Sequence, residues 1–147
     1  MQTNVFYTLT NGGQEPKKGT EGAAGYDLYV QHVSVDIATA SATVHTGLRT
    51  AFQQDVVMLL FARSGLATKY GLVPANGVGV VDSDYRGEVM VKFNNLTPLA
   101  LNHLLSMGPG DRIAQVVFVP VLSAKFIEVE SLEDSDRGEN GFGSTGA

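Results

Sequence analysis

Short runs of apolar and β-branched residues recur along most of the chain, separated by glycine-rich or polar turns. The alternation is clearest where Val89, Val91 and Phe93 alternate with Met90 and Lys92, as in a half-buried strand. The runs that predict strands are Asn4–Thr8, Tyr26–Val30, Val33–Ile37, Thr43–Leu48, Val56–Ala62, Gly77–Val81, Glu88–Phe93, Ile113–Val119 and Phe126–Val129. Many short strands with turn signals between them favour an all-β sandwich or barrel.

A single run has the character of a helix. Ser64 opens this run and Gly71 closes it, and both residue types are common at the ends of helices. We therefore expect one short helix, Ser64–Tyr70, in an otherwise all-β domain.

The C-terminal residues 133–147, EDSDRGENGFGSTGA, differ in composition from the rest of the chain. Four glycines follow Arg137 and one aromatic residue, Phe142, stands among them, so this segment cannot bury enough apolar surface to fold alone. Composition favours a frayed tail, whereas a lone phenylalanine between glycines favours a function. We divide the chain into a domain at 1–132 and a flexible arm at 133–147.

Composition excludes several classes of protein. The chain has 147 residues, 44% of them hydrophobic, so it can bury the core of one ordinary domain. It has no cysteine, which excludes disulfides and thiolate sites. A net charge of −5 disfavours nucleic-acid binding but not binding of a small anion. No apolar run approaches the ~20 residues that span a bilayer, and the N-terminus has no signal-peptide pattern. We expect no nucleic acid or membrane as partner, and a cytoplasmic location (the host cytoplasm for a viral protein).

One polar turn interrupts the apolar residues 79–89, GVVDSDYRGEV. Asp84 and Gly87 fit the first and fourth positions of a type I turn, which explains both residues. Asp82 differs, because a carboxylate at the end of an apolar strand is costly unless it is paired or used. A functional acid and a strand-end acid facing water fit this pattern equally well.

A second candidate site lies where an apolar strand meets the predicted helix. Arg63 can fork onto a phosphate, and free N–H groups at the start of a helix attract anions. Ser64 also fits an ordinary N-cap, which is the commoner role for a serine there. Gln115 lies among apolar residues of a later strand, where a glutamine usually faces solvent or pairs with backbone.

Several familiar kinds of site are missing from the sequence. Neither a P-loop of the Walker type nor a Gly-x-Ser-x-Gly nucleophile elbow occurs. The histidines lack the spacing of metal ligands, and we interpret all three as surface or loop residues: His32, His45 and His103.

Five segments together resemble the motifs of the trimeric dUTP pyrophosphatase (dUTPase) family, in the family's order and spacing. They are AGYDL at 24–28, ARSGLATKYG at 62–71, NGVGVVDSDYRGE at 76–88, GDRIAQ at 110–115 and RGENGFGSTG at 137–146. Any one of them is a weak signal, but five in register over nearly the whole chain indicate membership. Ala62 stands where many members have proline, which removes no hydrogen-bond donor.

This resemblance implies an all-β distorted jelly-roll barrel that assembles as a homotrimer, with active sites at the subunit junctions. Each site takes residues from all three chains, and the arm at 133–147 closes over the active site of a neighbouring subunit. The implied reaction is the hydrolysis of dUTP to dUMP and pyrophosphate by attack of water on the α-phosphorus, with Mg²⁺ as cofactor. It keeps uracil out of DNA and supplies dUMP for thymidylate synthesis.

The resemblance also implies roles for individual residues. Asp82 is the catalytic base that holds and deprotonates the attacking water. The base and sugar of the nucleotide are bound by Asn76, Gly77, Val81, Tyr85, Met90 and Phe142. The phosphates are bound by Arg63, Ser64, Gly65, Gln115, Arg137, Gly143, Ser144 and Thr145. The magnesium ion is held, through its water ligands, by Asp27 and Gln115.

Two alternative functions share this fold. The first is deamination of dCTP, but Lys92 occupies the position at which dCTP deaminases carry a proton-shuttling glutamate. The second is a regulatory protein that senses nucleotide without catalysis, although Asp82, Tyr85, Ser64 and the arm are all present. Three cations close to the motifs either bind phosphate or brace an interface: Lys69, Arg86 and Arg112.

Overall fold

The computed structural model describes residues 2–139 and residue 141, and this part of the chain forms nine strands and two helices. The strands are β1 (Phe6–Leu9), β2 (Tyr26–Tyr29), β3 (His32–Asp36), β4 (Ser41–His45), β5 (Leu48–Ala51), β6 (Val56–Ala62), β7 (Gly79–Val81), β8 (Met90–Phe93) and β9 (Arg112–Pro120). The helices are α1 (Ser64–Tyr70) and α2 (Pro98–Ser106). Neither of these helices has the length and apolar character needed to cross a lipid bilayer. Strands dominate, as the sequence predicts.

Three antiparallel sheets enclose the core. The largest has the strand order β2-β9-β6-β7, the second has the order β3-β4-β8, and the third pairs β1 with β5. Side chains alternate across these sheets: in β8, Val91 and Phe93 are buried, whereas Met90 is exposed. Buried residues of all three sheets form one hydrophobic core, which α1 and α2 join through Leu66 and Leu104.

Helix α1 has the bounds that the sequence predicts. It ends because Gly71 adopts left-handed backbone angles (φ 68°), which glycine tolerates best, and its N–H donates to the Ala67 carbonyl. Arg63 rather than Ser64 occupies the N-cap position, and no side chain caps the helix. The interpretation of Ser64 as an ordinary N-cap is therefore wrong. Ser64 lies exposed in the first helical turn instead.

The sequence predicts only one short helix and does not predict α2. Its start carries the expected signals, since the Thr97 hydroxyl accepts a hydrogen bond from the Ala100 N–H and Pro98 follows the cap. Apolar residues, however, occupy both faces of the helix: Leu104 is buried, whereas Leu105 is 58% exposed. This distribution hides the helical period in the sequence.

Two predicted strands also differ from the structure. The run Thr43–Leu48 is divided between β4 and β5, because the chain turns at Thr46 and Gly47, where Gly47 has a φ of 70°. The run Phe126–Val129 forms no strand, because no segment in the described part of the chain pairs with it. Phe126 is accordingly 95% exposed. The other predicted strands are found, with small shifts at their ends.

Leu104→Ala is expected to lower the free energy of unfolding by about 2–5 kcal/mol, because it leaves a cavity in the core. Leu104 is fully buried, so shortening its side chain removes contacts with the core and none with solvent. Leu105→Ala, one residue further along the same helix and mostly exposed, is the matched control and should change it by less than about 1 kcal/mol. Urea denaturation monitored by circular dichroism measures both. Equal effects would contradict the orientation of α2.

Candidate active site

The acid loop, defined as residues 82–88, leads from β7 towards β8. Asp82 directly follows the last residue of β7 and is exposed. Its carbonyl accepts a hydrogen bond from the Tyr85 N–H (3.1 Å), so the tight turn begins at Asp82. The prediction that the turn begins at Asp84 is wrong. Gly87 is needed for a different reason, because a Cβ atom there would overlap the ring of Tyr85.

Two arginines hold the acid loop against β5. Nη1 of Arg86 donates hydrogen bonds to the carbonyl groups of Ser83 (2.8 Å) and Tyr85 (3.2 Å). Nη1 of Arg49, which lies in β5, donates to the Arg86 carbonyl (3.2 Å). These bonds go to the backbone of the loop itself, so Arg86 braces the segment that carries Asp82.

A cavity of about 400 Å³ opens beside the acid loop. Its lining includes most of the residues predicted to bind the base and sugar, together with the predicted catalytic acid: Asn76, Val81, Asp82, Tyr85 and Met90. Gly77 lies at a bend next to the cavity, with a φ of 72°, and its N–H donates to the Pro74 carbonyl (2.8 Å). Lys92 also lines the cavity. Glu88 is a second acidic residue in the lining, so the structure gathers Asp82, Glu88, the Tyr85 ring and apolar side chains around a single cavity.

Three of the residues predicted to bind phosphate or metal form a second group with Arg112, whose role the sequence leaves open. This group, here called the arginine cluster, consists of Asp27, Arg63, Arg112 and Gln115. Strand pairing brings them together. Asp27 on β2 lies directly opposite Gln115 on β9, and β9 also pairs with β6, which ends immediately before Arg63.

The carboxylate of Asp27 lies between two guanidinium groups. Its Oδ1 accepts a hydrogen bond from Nε of Arg63 (3.1 Å), and its Oδ2 accepts one from Nη1 of Arg112 (3.5 Å). The Asp27 side chain is only 14% exposed. Nε2 of Gln115 donates to the Ala62 carbonyl (3.1 Å), which fixes the amide beside the start of α1. Two cations to one anion leave the cluster positively charged, and this charge favours an anionic ligand.

The start of α1 adjoins the arginine cluster. Ser64 and Gly65 follow Arg63 directly, and both are exposed. Apart from its chain neighbours and the backbone of α1, no heavy atom lies within 4 Å of the position that a Cβ of Gly65 would take, so a ligand can approach the backbone there. Lys69 lies further along the helix, with its Nζ 5.2 Å from the ring centre of Tyr70.

The described residues provide no ready-made metal site. Within 2–139 and 141, no three histidine, aspartate or glutamate side chains converge as metal ligands. Asp27 is already paired with two arginines. Asp27 and Gln115, the two residues predicted to hold magnesium through its waters, lie directly opposite each other on β2 and β9.

Most of the predicted arm residues lie outside the described part of the chain: Phe142, Gly143, Ser144 and Thr145. Arg137 is described and is exposed, within a turn in which the Gly138 N–H donates to the Ser135 carbonyl (3.0 Å). From residue 121 to residue 139 the chain forms neither helix nor strand. The boundary between domain and arm remains a prediction.

A polar contact at the end of the acid loop was not anticipated from the sequence. Oε2 of Glu88 lies 3.0 Å from Nδ1 of His45, and Oε1 accepts a hydrogen bond from the Gly47 N–H (2.8 Å). The His45 ring stacks on that of His32, with ring centres 4.0 Å apart. No spacing in the sequence reveals this contact, which depends on β4 pairing with β8 so that His45 lies opposite Met90.

The histidines correct one further prediction. His32 is exposed, but it belongs to β3 rather than to a loop. His45 and His103 are half-buried in β4 and α2, so their interpretation as surface or loop residues is wrong. The His103 ring stacks on Tyr70, with centres 3.7 Å apart, and joins α2 to α1.

The Glu88 carboxyl has a perturbed pKa. Partial burial raises the pKa of Glu88. The hydrogen bonds from His45 and the Gly47 N–H, together with the charges of the nearby imidazoles, lower it by more, so the pKa lies below the ordinary value of 4.5. The carboxylate is therefore ionised at neutral pH.

The acid loop and the arginine cluster lie at opposite ends of β6. Val81 lies opposite Met58 near the start of β6, whereas Arg63 follows the end of that strand. Asp82 and Arg63 are thus separated by about six residues of strand, or ~20 Å between backbones at ~3.3 Å per residue.

A family model described as dUTPase matches residues 12–146 of the chain. The chain belongs to the dUTPase family. Two relatives named deoxyuridine 5'-triphosphate nucleotidohydrolase match most of this dUTPase-family chain. The protein of Tropheryma whipplei (strain Twist) is 39% identical over 138 residues, which cover 94% of this chain and 92% of that protein. The protein of Cutibacterium acnes is 44% identical over 132 residues, which cover 89% and 84%. The family predicted from the five motifs is confirmed.

Solved dUTPase structures share the fold. A mutant dUTPase of Staphylococcus bacteriophage 80alpha with dUpNHpp superposes with a TM-score of 0.83 at 25% identity, over 98% of this chain and 99% of that one. A mutant dUTPase of phage phi11 of S. aureus, described with a structural Mg(II) ion, superposes with a TM-score of 0.70 at 20% identity, over 89% and 99%. The predicted all-β dUTPase fold is confirmed, and α2 is a second short helix that the sequence did not predict.

The contribution of Glu88 to stability is expected to depend on pH. Because the folded-state pKa of Glu88 is lowered, its stabilising effect is fully present above the ordinary value of 4.5 and is lost as the pH falls through the folded-state pKa. The stability advantage of the wild type over Glu88→Gln should therefore shrink below pH 4.5. Denaturant unfolding of both proteins between about pH 3 and pH 7 measures it, since the other carboxyl groups cancel in the difference. An advantage that grows on acidification would contradict the lowered pKa.

Proposed function

We propose that this chain hydrolyses dUTP to dUMP and pyrophosphate at sites assembled from more than one copy of the chain. The observation that carries the proposal is the exposed Asp82, which follows β7 directly and lines a cavity together with Tyr85. Family membership and the names of the relatives support the choice of substrate. In the cell this reaction keeps uracil out of DNA and provides dUMP for thymidylate synthesis.

The cavity beside the acid loop selects the nucleoside. Backbone groups of the segment from Asn76 to Val81, with the Asn76 side chain, pair with the edge of uracil. A site that hydrogen-bonds one base edge rejects another strongly, because its polar groups are then left unpaired. Gly77 provides the bend, and Met90 contributes an apolar wall. Tyr85 packs on the deoxyribose and leaves no room for a 2′-hydroxyl group.

Asp82 carries the central chemical role. Its carboxylate accepts a proton from a water molecule and orients that water towards the α-phosphorus. The new bond joins the water oxygen to the α-phosphorus, and the bond from that phosphorus to the bridging oxygen breaks as pyrophosphate leaves. The leaving charge is stabilised by fixed donors of the arginine cluster and the start of α1: Arg63, Ser64, Gly65 and Gln115.

Magnesium belongs to the proposal as the ion that accompanies the triphosphate. Asp27 and Gln115 would hold the ion through its waters rather than directly, since no convergent set of metal ligands lies among the described residues. When bound, the ion supplies positive charge along the phosphates.

The separation along β6 supports a composite site. Asp82 and Ser64 have short side chains, and ~20 Å of strand lies between the ends of β6 next to which they stand. The two residues meet at one phosphate most simply if Asp82 comes from one chain and Ser64 from another. A homotrimer with three such junctions is the arrangement we propose.

The segment after β9 supports an exchange of arms between subunits. Its apolar residues have no cover within the described chain, and they would be buried by a neighbour: Leu122, Phe126, Ile127 and Leu132. The arm at 133–147 then reaches a neighbouring site. There Phe142 stacks on uracil, and the phosphates are contacted by Arg137, Gly143, Ser144 and Thr145.

Asp82→Asn should lower the turnover of dUTP by roughly 10²–10⁴-fold, because an amide cannot accept the proton of the attacking water. Binding of a non-hydrolysable dUTP analogue, measured by calorimetry, should persist. Asp84→Asn is the control, because Asp84 is also exposed in the acid loop but has no assigned role in the reaction. Normal turnover by Asp82→Asn would exclude Asp82 as the base.

Mixing two inactive variants tests the composite site. Asp82→Asn and Arg63→Gln each lack one half of the site, but in mixed trimers some junctions combine the intact Asp82 of one chain with the intact Arg63 of another. Co-refolding equal amounts should restore activity at about a quarter of the junctions. Variants kept separate are the control. No recovery in mixtures shown to exchange subunits would place both residues in the same chain.

A pyrophosphate-release assay with dUTP, dCTP, dTTP and UTP, with and without Mg²⁺, separates the alternatives. The proposal predicts Mg²⁺-dependent release of pyrophosphate from dUTP above the other three. Ammonia release from dCTP would indicate a deaminase, in spite of Lys92. Tight dUTP binding without pyrophosphate release would indicate a regulatory protein that senses nucleotide.

A further inference from the structure

We propose that Glu88 is a positioning residue for sugar selection. Its main-chain carbonyl accepts the hydrogen bond of the Tyr85 hydroxyl, and its side chain fixes that carbonyl to the corner between β4 and β5. The inference rests on the proposed function, in which Tyr85 packs on the deoxyribose.

The ring of Tyr85 depends on one polar anchor. Its hydroxyl group donates a hydrogen bond to the Glu88 carbonyl (3.1 Å), and the ring folds back over Gly87. The residue is 42% exposed, so core packing does not fix the ring. The position of the Glu88 carbonyl therefore sets the position of the ring at the cavity.

The Glu88 carboxylate fixes that carbonyl from the other side of the residue. Its two oxygens contact Nδ1 of His45 (3.0 Å) and the Gly47 N–H (2.8 Å). Gly47 is a firm anchor, because even a Cβ there would come within 2.7 Å of the Thr10 hydroxyl oxygen. Glu88 thus joins the last position of the acid loop to a closely packed corner.

The corner is itself held by the three-stranded sheet. The His45 ring stacks on His32 with an angle of 9° between the rings, and β4, which carries His45, pairs with both β3 and β8. The backbone that follows Glu88 is joined to β5, because the Val89 N–H donates a hydrogen bond to the Leu48 carbonyl (2.8 Å). A continuous set of contacts therefore runs from β3 to the Tyr85 hydroxyl.

This arrangement matters for selection rather than for binding in general. Rejection of a ribonucleotide depends on whether the Tyr85 ring occupies the space of a 2′-hydroxyl group, and small displacements of a positioning group have large kinetic effects. A Glu88 side chain that merely stabilises the fold would leave the preference for dUTP over UTP unchanged.

The test compares kcat/KM for dUTP and UTP, with Mg²⁺, in the wild type and in Glu88→Ala, Glu88→Gln, Tyr85→Phe and the double variant Glu88→Ala/Tyr85→Phe. Glu88→Ala should lower the dUTP/UTP ratio by about tenfold, the effect of one ordinary hydrogen bond. Glu88→Gln should restore most of the ratio, because a glutamine can still accept from the Gly47 N–H and donate to His45. Glu88→Ala should have no further effect on the ratio in the Tyr85→Phe background.

An unchanged ratio in Glu88→Ala, or additive losses in the double variant, would overturn the inference. His45→Leu provides a second measurement if Glu88→Ala does not fold: it removes one of the two carboxylate contacts and should lower the ratio by about threefold, and no change would also overturn the inference. A wild type that does not hydrolyse dUTP would instead refute the proposed function itself, so the two failures are distinguishable.

Discussion

The length of β6 is the constraint that keeps the acid loop and the arginine cluster of one chain apart. Near its start this strand pairs with β7, which leads into the acid loop, and its end lies beside the arginine cluster. A strand in the middle of a sheet cannot shorten or fold to bring its ends together, because its ladder hydrogen bonds and buried side chains fix it. The proposed site, whose two halves lie at opposite ends of such a strand, therefore requires residues from more than one copy of the chain.

Each half is built to keep its geometry before any ligand arrives. The guanidinium groups of Arg86 and Arg49 donate hydrogen bonds to backbone carbonyls of the acid loop. Asp27 holds Arg63 and Arg112 in place. Groups that are already oriented need little rearrangement when charge develops in a transition state. Asp82, the proposed base, is exposed just after β7, where water can reach its carboxylate.

The sequence predicts the elements whose signals are local. Helix α1 has its predicted bounds because Gly71 ends it, and Asp82 lies at the end of a strand as its apolar neighbours indicate. The five motifs identify the family because residue types and spacings survive in a linear chain. Helix α2 is missed because leucines occupy both of its faces.

Contacts between distant segments are the part that the sequence does not reveal. The pairing of Asp27 with Arg63 and the link between Glu88 and His45 both arise from strand register, which is a property of the folded sheets. The segment Phe126–Val129 has the composition of a strand but finds no partner within the described chain.

The most direct test of the composite site is a crystal structure of the full-length protein with Mg²⁺ and a dUTP analogue that has a nitrogen in the α–β bridge. The account predicts that the Asp82 carboxylate of one chain contacts a water facing the α-phosphorus, while Arg63 and Ser64 of a different chain lie against the phosphates. It would be contradicted if all three residues around one nucleotide came from a single chain, or if Asp82 lay far from the α-phosphorus.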